Sequence, residues 1–135
     1  YASKIKGFAP LAVPTNPWPV YLPGEMTLIK AEAYARASTP DLVNALIELN
    51  KIQTKAPASD PYGVGANLTA YAPLTQAQIL DQIYKQRGIE LYMSGLKIED
   101  MRRGCRPNSE RKRNLLPYPF LERDNNTNTP ADPAF

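Results

Sequence analysis

Residues 74–103 constrain the fold of this chain more than any other segment. Thr75 stands three positions before Gln78, which is the spacing of a capping box at the start of a helix. Apolar side chains then recur at intervals of three and four residues, which is typical of one helix face. The predicted buried stripe comprises Ile79, Leu80, Ile83, Tyr84, Arg87 and Leu91. The segment therefore begins with a long amphipathic helix.

Two glycines shape the end of this segment. Gly88 weakens the long helix by about 1 kcal/mol relative to alanine, and a break is expected near Ser94-Gly95. A short companion helix should follow from Leu96 to Arg103 and stop at Gly104, since glycine commonly ends helices.

The preceding residues predict a helical hairpin. Pro23 suits the first turn of a helix that runs to about Ala37 and carries alanines at 31, 33, 35 and 37, a small-residue surface for a neighbouring helix. Thr39-Pro40-Asp41 then predicts a helix start with Thr39 as the cap, and this second helix should end near Lys55. A link of two to three residues would force the two helices to be antiparallel.

The remaining segments predict irregular chain. Prolines at 10, 14, 17 and 19 indicate an extended arm over residues 1–22, because proline lacks the backbone donor. Residues 56–74 predict a long loop, which is uncommon unless the loop is functional or packed down. Everything after Arg106 is expected to be irregular. The predicted class is all-α: a helical hairpin, a long helix with a short companion in TPR-like packing, and extended proline-rich arms and tail.

Composition excludes several kinds of chemistry. The chain has no histidine, so a Ser-His-Asp or Cys-His mechanism is impossible within it. Its single cysteine, Cys105, can form neither an internal disulfide nor a cysteine zinc cluster. A net charge of +3 does not indicate a nucleic-acid partner. No enzyme activity, cofactor or metal is predicted.

Charged residues at helical spacing predict structural ion pairs. Glu99 precedes Arg102 and Arg103 by three and four residues, and charged groups on the apolar stripe of the long helix need partners. We expect these charges to hold the tail against the helices, with direct ligand contact as the alternative. The predicted set is Arg87, Glu90, Glu99, Asp100, Arg102 and Arg103.

Two charged segments have competing interpretations. The cations between Arg102 and Arg113 could bind phosphate, but the neighbouring acids favour a solvated or ion-paired surface. Asp124-x-Asn126-x-Asn128 begins like a calcium loop, yet Thr129 replaces the required glycine and Phe135 the closing glutamate. Asparagine-rich turns are the ordinary interpretation.

Several sequence blocks, in order, resemble the C-terminal part of the SusD/RagB family. They are Leu28–Arg36 with its Ala-Glu-Ala centre, Ala45–Gln53, Ile83–Leu91, Gly95 followed by Asp100–Arg103, and the proline-flanked tail Leu116–Pro119. The family usually has glutamate at the position of Gln86 and arginine at that of Gly88, so this chain resembles a divergent branch. The resemblance covers roughly residues 19–133 and identifies residues 1–135 as a C-terminal helical region, a fragment of a longer chain.

The resemblance implies a function without chemistry. Such a protein would be a cell-surface lipoprotein of the outer membrane, its lipid anchor outside this fragment. It would bind oligosaccharide and present it to a SusC-like TonB-dependent transporter. The partners implied are that transporter, the remainder of the SusD-like chain and the ligand. A peptide ligand, as in the RagB branch, and a helical scaffold for protein–protein docking are the alternatives.

The candidate ligand residues follow from sugar chemistry, because aromatic rings stack on sugars while amides supply hydrogen bonds. The aromatic residues in irregular segments and their amide neighbour are Trp18, Tyr21, Tyr62, Asn67 and Tyr71. The competing interpretation is that each aromatic ring packs on the helices beneath it.

Overall fold

The computed structural model describes residues 20–60, 65–92, 94–107, 109–111, 118–124 and 126–131. Its helices are α1 (Pro23–Arg36), α2 (Leu42–Gln53), α3 (Gln76–Glu90), α4 (Lys97–Arg103) and α5 (Phe120–Arg123), with a 3-10 turn at Pro57–Ser59. These residues contain no strand, so the all-α prediction is confirmed. Most of the predicted N-terminal arm lies outside the described residues.

Helix α1 starts at Pro23 as predicted, with Leu22 extended before it. Of the four alanines expected to form one surface, Ala31 and Ala35 are fully buried, whereas Ala33 and Ala37 are exposed. That part of the prediction was wrong for a geometric reason. Residues four apart share a helix face, but residues two apart lie on opposite sides.

Helix α2 begins at Leu42, and its cap is Asp41, whose side chain accepts a hydrogen bond from the Asn44 backbone N–H at 3.0 Å. The prediction of Thr39 as the cap was therefore wrong, and residues 37–41 make the link longer than expected. The carboxylate of Asp41 also accepts from the Asn44 side chain, which favours this start. The helix ends at Gln53, two residues before the predicted end.

The hairpin of α1 and α2 is antiparallel, as predicted. The backbone N–H of Asp41 donates to the carbonyl of Tyr34 at 3.0 Å near the link. Farther from the link, the Lys30 ammonium lies 3.0 Å from the Glu48 carboxylate. The partners therefore come from earlier positions on α1 as they come from later positions on α2, which is the order expected of antiparallel helices.

Helix α3 packs against both members of the hairpin and completes the core. Its Thr75–Gln78 capping box is confirmed. The core residues are Leu28, Ala31, Ala35, Ala45, Leu49, Ile52, Ile79 and Ile83. Of the predicted stripe, Ile79, Ile83, Arg87 and Leu91 are buried, and Leu80 and Tyr84 are half-buried. The observed buried face also includes two polar residues that the prediction had omitted, Gln86 and Glu90.

The chain divides into two compact units, Tyr1–Gly95 and Leu96–Phe135. The boundary residue Gly95 has φ +83, a left-handed conformation that glycine adopts without strain, and it lies where the break was predicted. In the second unit α4 ends before Gly104 as expected, but α5 corrects the prediction of wholly irregular chain after Arg106. Pro119 precedes this single turn, and its carbonyl accepts from the Glu122 N–H at 3.0 Å. Among the described residues, no helix is long and apolar enough to cross a membrane.

Candidate functional site

The five predicted ligand residues lie in different settings. Trp18 and Tyr62 lie outside the described residues. Tyr21 precedes α1 and is 66% exposed, and Asn67 is exposed in the loop between α2 and α3. Tyr71, in the same loop, is half-buried and packs against the core. Of the three that the structure describes, Asn67 and Tyr71 therefore lie in one loop and Tyr21 lies in a separate segment.

Asn50 of α2 fixes the backbone of Tyr71. Its side-chain amide donates to the Tyr71 carbonyl at 3.3 Å and accepts from the Tyr71 N–H at 2.8 Å. The Tyr71 hydroxyl donates to Oε1 of Gln82 on α3 at 2.9 Å. Tyr71 is thus bonded at both its backbone and its ring to the two helices that flank the loop, an arrangement suited to anchoring the loop.

A buried pair of glutamines fixes the residues just before Tyr71. Gln86 donates from Nε2 to Oε1 of Gln53 at 2.6 Å, and Gln53 donates from Nε2 to the Thr69 carbonyl at 3.1 Å. Both side chains are buried, where each unmade hydrogen bond costs about 1–3 kcal/mol. A glutamate at position 86 could not donate to Gln53 when ionised, so the amide suits this particular loop attachment.

The backbone before Thr69 is held by the end of α2. The Asn67 N–H donates to the Lys55 carbonyl at 3.0 Å, and the Leu68 N–H donates to the Gln53 carbonyl at 2.9 Å. Residues 67–71, which we call the pinned segment, are therefore bonded to α2 or to Lys55 just beyond it along most of their length. Asn67 has φ +49, and its side chain and that of Leu68, which is 55% exposed, lie at the surface. Their backbone is therefore held by hydrogen bonds while both side chains face solvent.

A second polar group, the Lys55 cluster, consists of Lys55, Asp60 and Glu90. The Lys55 ammonium lies 2.9 Å from the Asp60 carboxylate and 2.5 Å from the Glu90 carboxylate. Only 3% of the Glu90 side chain and 16% of the Lys55 side chain are exposed. Burial raises the pKa of Glu90 above its usual value, the hydrogen bond and charge of Lys55 oppose that shift, and the charge of Asp60 adds to it.

Gly24 makes room for the Glu90 carboxylate at the first turn of α1. A Cβ atom at position 24 would lie 1.8 Å from Oε1 of Glu90, far inside any van der Waals contact. The carboxylate therefore occupies the space that any other side chain at position 24 would fill. Its place at a helix N-terminus is electrostatically favourable for a negative charge.

The six residues predicted to form structural ion pairs all contact charged partners, but partly not those expected. Arg87 pairs with Glu25 of α1 at 3.6 Å, and Glu90 pairs with Lys55. Sequence spacing had missed Glu25 and Lys55 as partners of the long helix, and Asp60 as the second partner of Lys55, because they come from distant parts of the chain. The sign of such partners in the sequence was the presence of charged residues within the hydrophobic stripe of the long helix, since buried charges require partners.

The other predicted pairs lie within α4. Arg102 is 3.1 Å from Glu99, and Arg103 is 3.5 Å from Asp100. Beyond the helix, the Arg106 guanidinium makes two bonds to the Glu110 carboxylate, at 2.7 and 2.9 Å. These pairs agree with an ion-paired surface for the basic run. That the six charges hold the tail against the helices stays a prediction.

The described residues contain no group of three or more histidine, cysteine, aspartate or glutamate side chains that could hold a metal ion. At the segment that begins like a calcium loop, the Asn126 side chain accepts from the Asn128 N–H at 3.0 Å. That bond is typical of an asparagine turn.

Comparison with known proteins gives one match. The model of the SusD family matches residues 12–132 of the 135-residue chain. Neither the curated proteins nor the solved structures include a significant match. Since the matched region spans most of the chain and the helices have the expected all-α arrangement, this protein belongs to the SusD family, whose members are nutrient-binding, generally non-catalytic proteins of the outer membrane.

Proposed function

We propose that this chain is the C-terminal helical region of a non-catalytic protein that binds oligosaccharide at the cell surface and presents it to a SusC-like TonB-dependent transporter. The family match over residues 12–132 is the observation that carries the proposal. The protein would be an outer-membrane lipoprotein whose anchor lies outside this region. The remainder of the SusD-like chain would complete the binding protein.

The geometry of the pinned segment supports a role in binding. Its backbone is fixed by Asn50, Gln53 and Lys55, while the amide of Asn67 is exposed. An exposed amide on a fixed backbone is suited to hydrogen-bond a sugar hydroxyl. Tyr21 offers an exposed aromatic ring of the kind that stacks on a sugar, whereas Tyr71 serves mainly to anchor the loop in this proposal.

The direct test is calorimetric titration of the full-length protein with a panel of oligosaccharides and a panel of peptides. We expect a sugar to bind with a Kd of about 1 μM to 1 mM. Tyr21→Ala and Asn67→Ala should each weaken binding at least about tenfold, corresponding to about 1.4 kcal/mol. Tyr92→Ala is the matched control, because Tyr92 is also half-exposed but lies outside the candidate set, and it should leave Kd unchanged.

Other outcomes separate the alternatives. Binding of peptides alone would assign the protein to the peptide-binding branch and overturn the glycan proposal. Binding of neither class would remove nutrient capture altogether. Equal effects of Tyr21→Ala and Tyr92→Ala would show that the candidate residues are wrong while leaving the ligand class intact.

A docking scaffold is the second candidate, and the outer face of α2 favours it. Val43 and Ile47 are four residues apart on that helix, and they are 71% and 50% exposed. Two neighbouring aliphatic side chains at a helix surface suit a protein contact. Val43→Asp with Ile47→Asp should abolish copurification with the SusC-like transporter if this face is the docking surface. Retained copurification would remove this candidate without affecting the glycan proposal.

A further inference from the structure

We propose that Glu90 is a proton-binding switch. Its protonation state determines whether the Lys55 ammonium pairs with both Glu90 on α3 and Asp60 in the loop after α2, or with Asp60 alone. When Glu90 is ionised, its carboxylate shares the Lys55 ammonium with Asp60. When Glu90 takes a proton from solvent, it loses its charge, and the ammonium then pairs with Asp60 alone. Acidification would therefore strengthen the pairing of Lys55, two residues beyond α2, with Asp60 across the 3-10 turn at Pro57–Ser59.

The composition of the Lys55 cluster supports this inference. Two carboxylates compete for one ammonium, and both distances are hydrogen-bond distances. With all three groups ionised, the three side chains carry an excess negative charge in a site where the Asp60 and Glu90 side chains are only 6% and 3% exposed. Uptake of one proton neutralises that excess, which is the usual response of buried carboxylates that lie close together.

The surroundings of Glu90 indicate which carboxylate takes the proton. Lys55 faces it from the end of α2, and Asp60 lies on the other side of Lys55 in the loop. From α1 the adjacent backbone is that of Gly24, next to Glu25, and Glu25 pairs with Arg87 one turn earlier on α3. Burial and the charge of Asp60 both raise the pKa of Glu90, and together they outweigh the lowering by the hydrogen bond and charge of Lys55.

The consequence for stability has a definite sign. Because the folded pKa of Glu90 is raised, the folded protein binds more protons than the unfolded chain between the two pKa values. The contribution of Glu90 to stability is therefore fully present below the unfolded value of about 4.3 and is lost as the pH rises through the folded pKa. Glu48 behaves oppositely, since hydrogen bonds from Lys51 and Lys30 lower its pKa.

The first test is a carboxyl-carbon NMR titration of the intact protein. We expect the Glu90 signal to titrate at a higher pH than the Glu48 signal. Titration of Glu90 together with Glu48 or below it would overturn the proposal. This measurement uses the unaltered protein, so it does not depend on whether a variant folds.

The second test compares the melting temperatures of the wild type and Glu90→Gln as a function of pH. The wild type should lose stability relative to Glu90→Gln as the pH rises from about 4.3 through the folded pKa. Glu48→Gln is the matched control, and the wild type should gain stability relative to that variant over its own window. A difference between wild type and Glu90→Gln that is independent of pH would contradict the switch.

The third test addresses the loop directly through amide hydrogen exchange corrected for intrinsic rates. The Asp60 N–H donates to the Pro57 carbonyl and the Asn67 N–H to the Lys55 carbonyl, so both report on the hydrogen bonds within the loop that follows α2. In the wild type their protection should increase as the pH falls, and in Glu90→Gln it should be constant. Protection that changes equally in both proteins would show that Glu90 does not control the loop.

Discussion

Two regions of this protein use acid–base pairs in different ways. Around α3, Arg87 and Glu90 are buried and find partners on α1 and at the end of α2, far away in sequence. Within α4, Arg102 and Glu99 pair three residues apart with side chains 41% and 67% exposed. The buried pairs join separate elements and must be satisfied. The exposed pair contributes little, because water and salt screen it.

The largest effect should follow from removing the cation of the buried region. Lys55→Met leaves two carboxylates, Asp60 and Glu90, buried without their shared ammonium. We expect a loss of about 3–5 kcal/mol in the free energy of unfolding, measured by urea denaturation. Lys51→Met is the control, because the Lys51 side chain is 56% exposed and its partner Glu48 keeps the Lys30 ammonium, so the loss should be about 0–1 kcal/mol. Equal losses in the two variants would show that burial of the cation does not govern the strength of its pairs.

A smaller effect should follow from filling the space beside the same carboxylate. Gly24→Ala places a methyl group where Glu90 lies, and overpacking of this kind typically costs about 1–3 kcal/mol. In a Glu90→Ala background the methyl group has room, so the added Gly24→Ala change should cost much less. Urea denaturation of the four proteins in this double-mutant cycle measures the coupling. Additive effects would show that Gly24 is not needed to accommodate Glu90.

The smallest effect should come from the exposed pair. Glu99→Gln removes the partner of Arg102 and one acid from the first turn of α4, which together should cost less than about 1 kcal/mol. The remaining difference from the wild type should shrink in high salt. Urea denaturation at low and high salt measures both. A loss as large as that of Lys55→Met would mean that exposure does not govern the strength of these pairs.

Local signals predicted the helices well where they were complete. The Thr75–Gln78 capping box lies at the start of α3. Gly95 lies at the predicted break, and Gly104 directly follows the last residue of α4. The start of α2 was misplaced, because Thr39, Pro40 and Asp41 are all good starting residues. The choice of Asp41 depends on its bonds to Asn44.

The candidate site was less predictable for a different reason. Gln53 and Gln86 are 33 residues apart, and Gln86 was not part of the predicted buried stripe. Its partners are Gln53 at the end of α2 and the Tyr71 hydroxyl at 3.4 Å, which only the tertiary packing brings to it. Tyr71 was selected as an aromatic residue in an irregular segment, and Asn50 and Gln82 hold it at the edge of the core.

The sequence by itself determined the all-α class, the antiparallel hairpin, the capped third helix and membership of the SusD family. These follow from spacing and composition over short stretches of chain. Only the tertiary structure decided which charges are buried, which glycine must remain a glycine and which loop residues reach the surface. Those properties depend on partners brought from distant positions, and in a low-dielectric interior it is the partner that decides whether a polar group stabilises the fold.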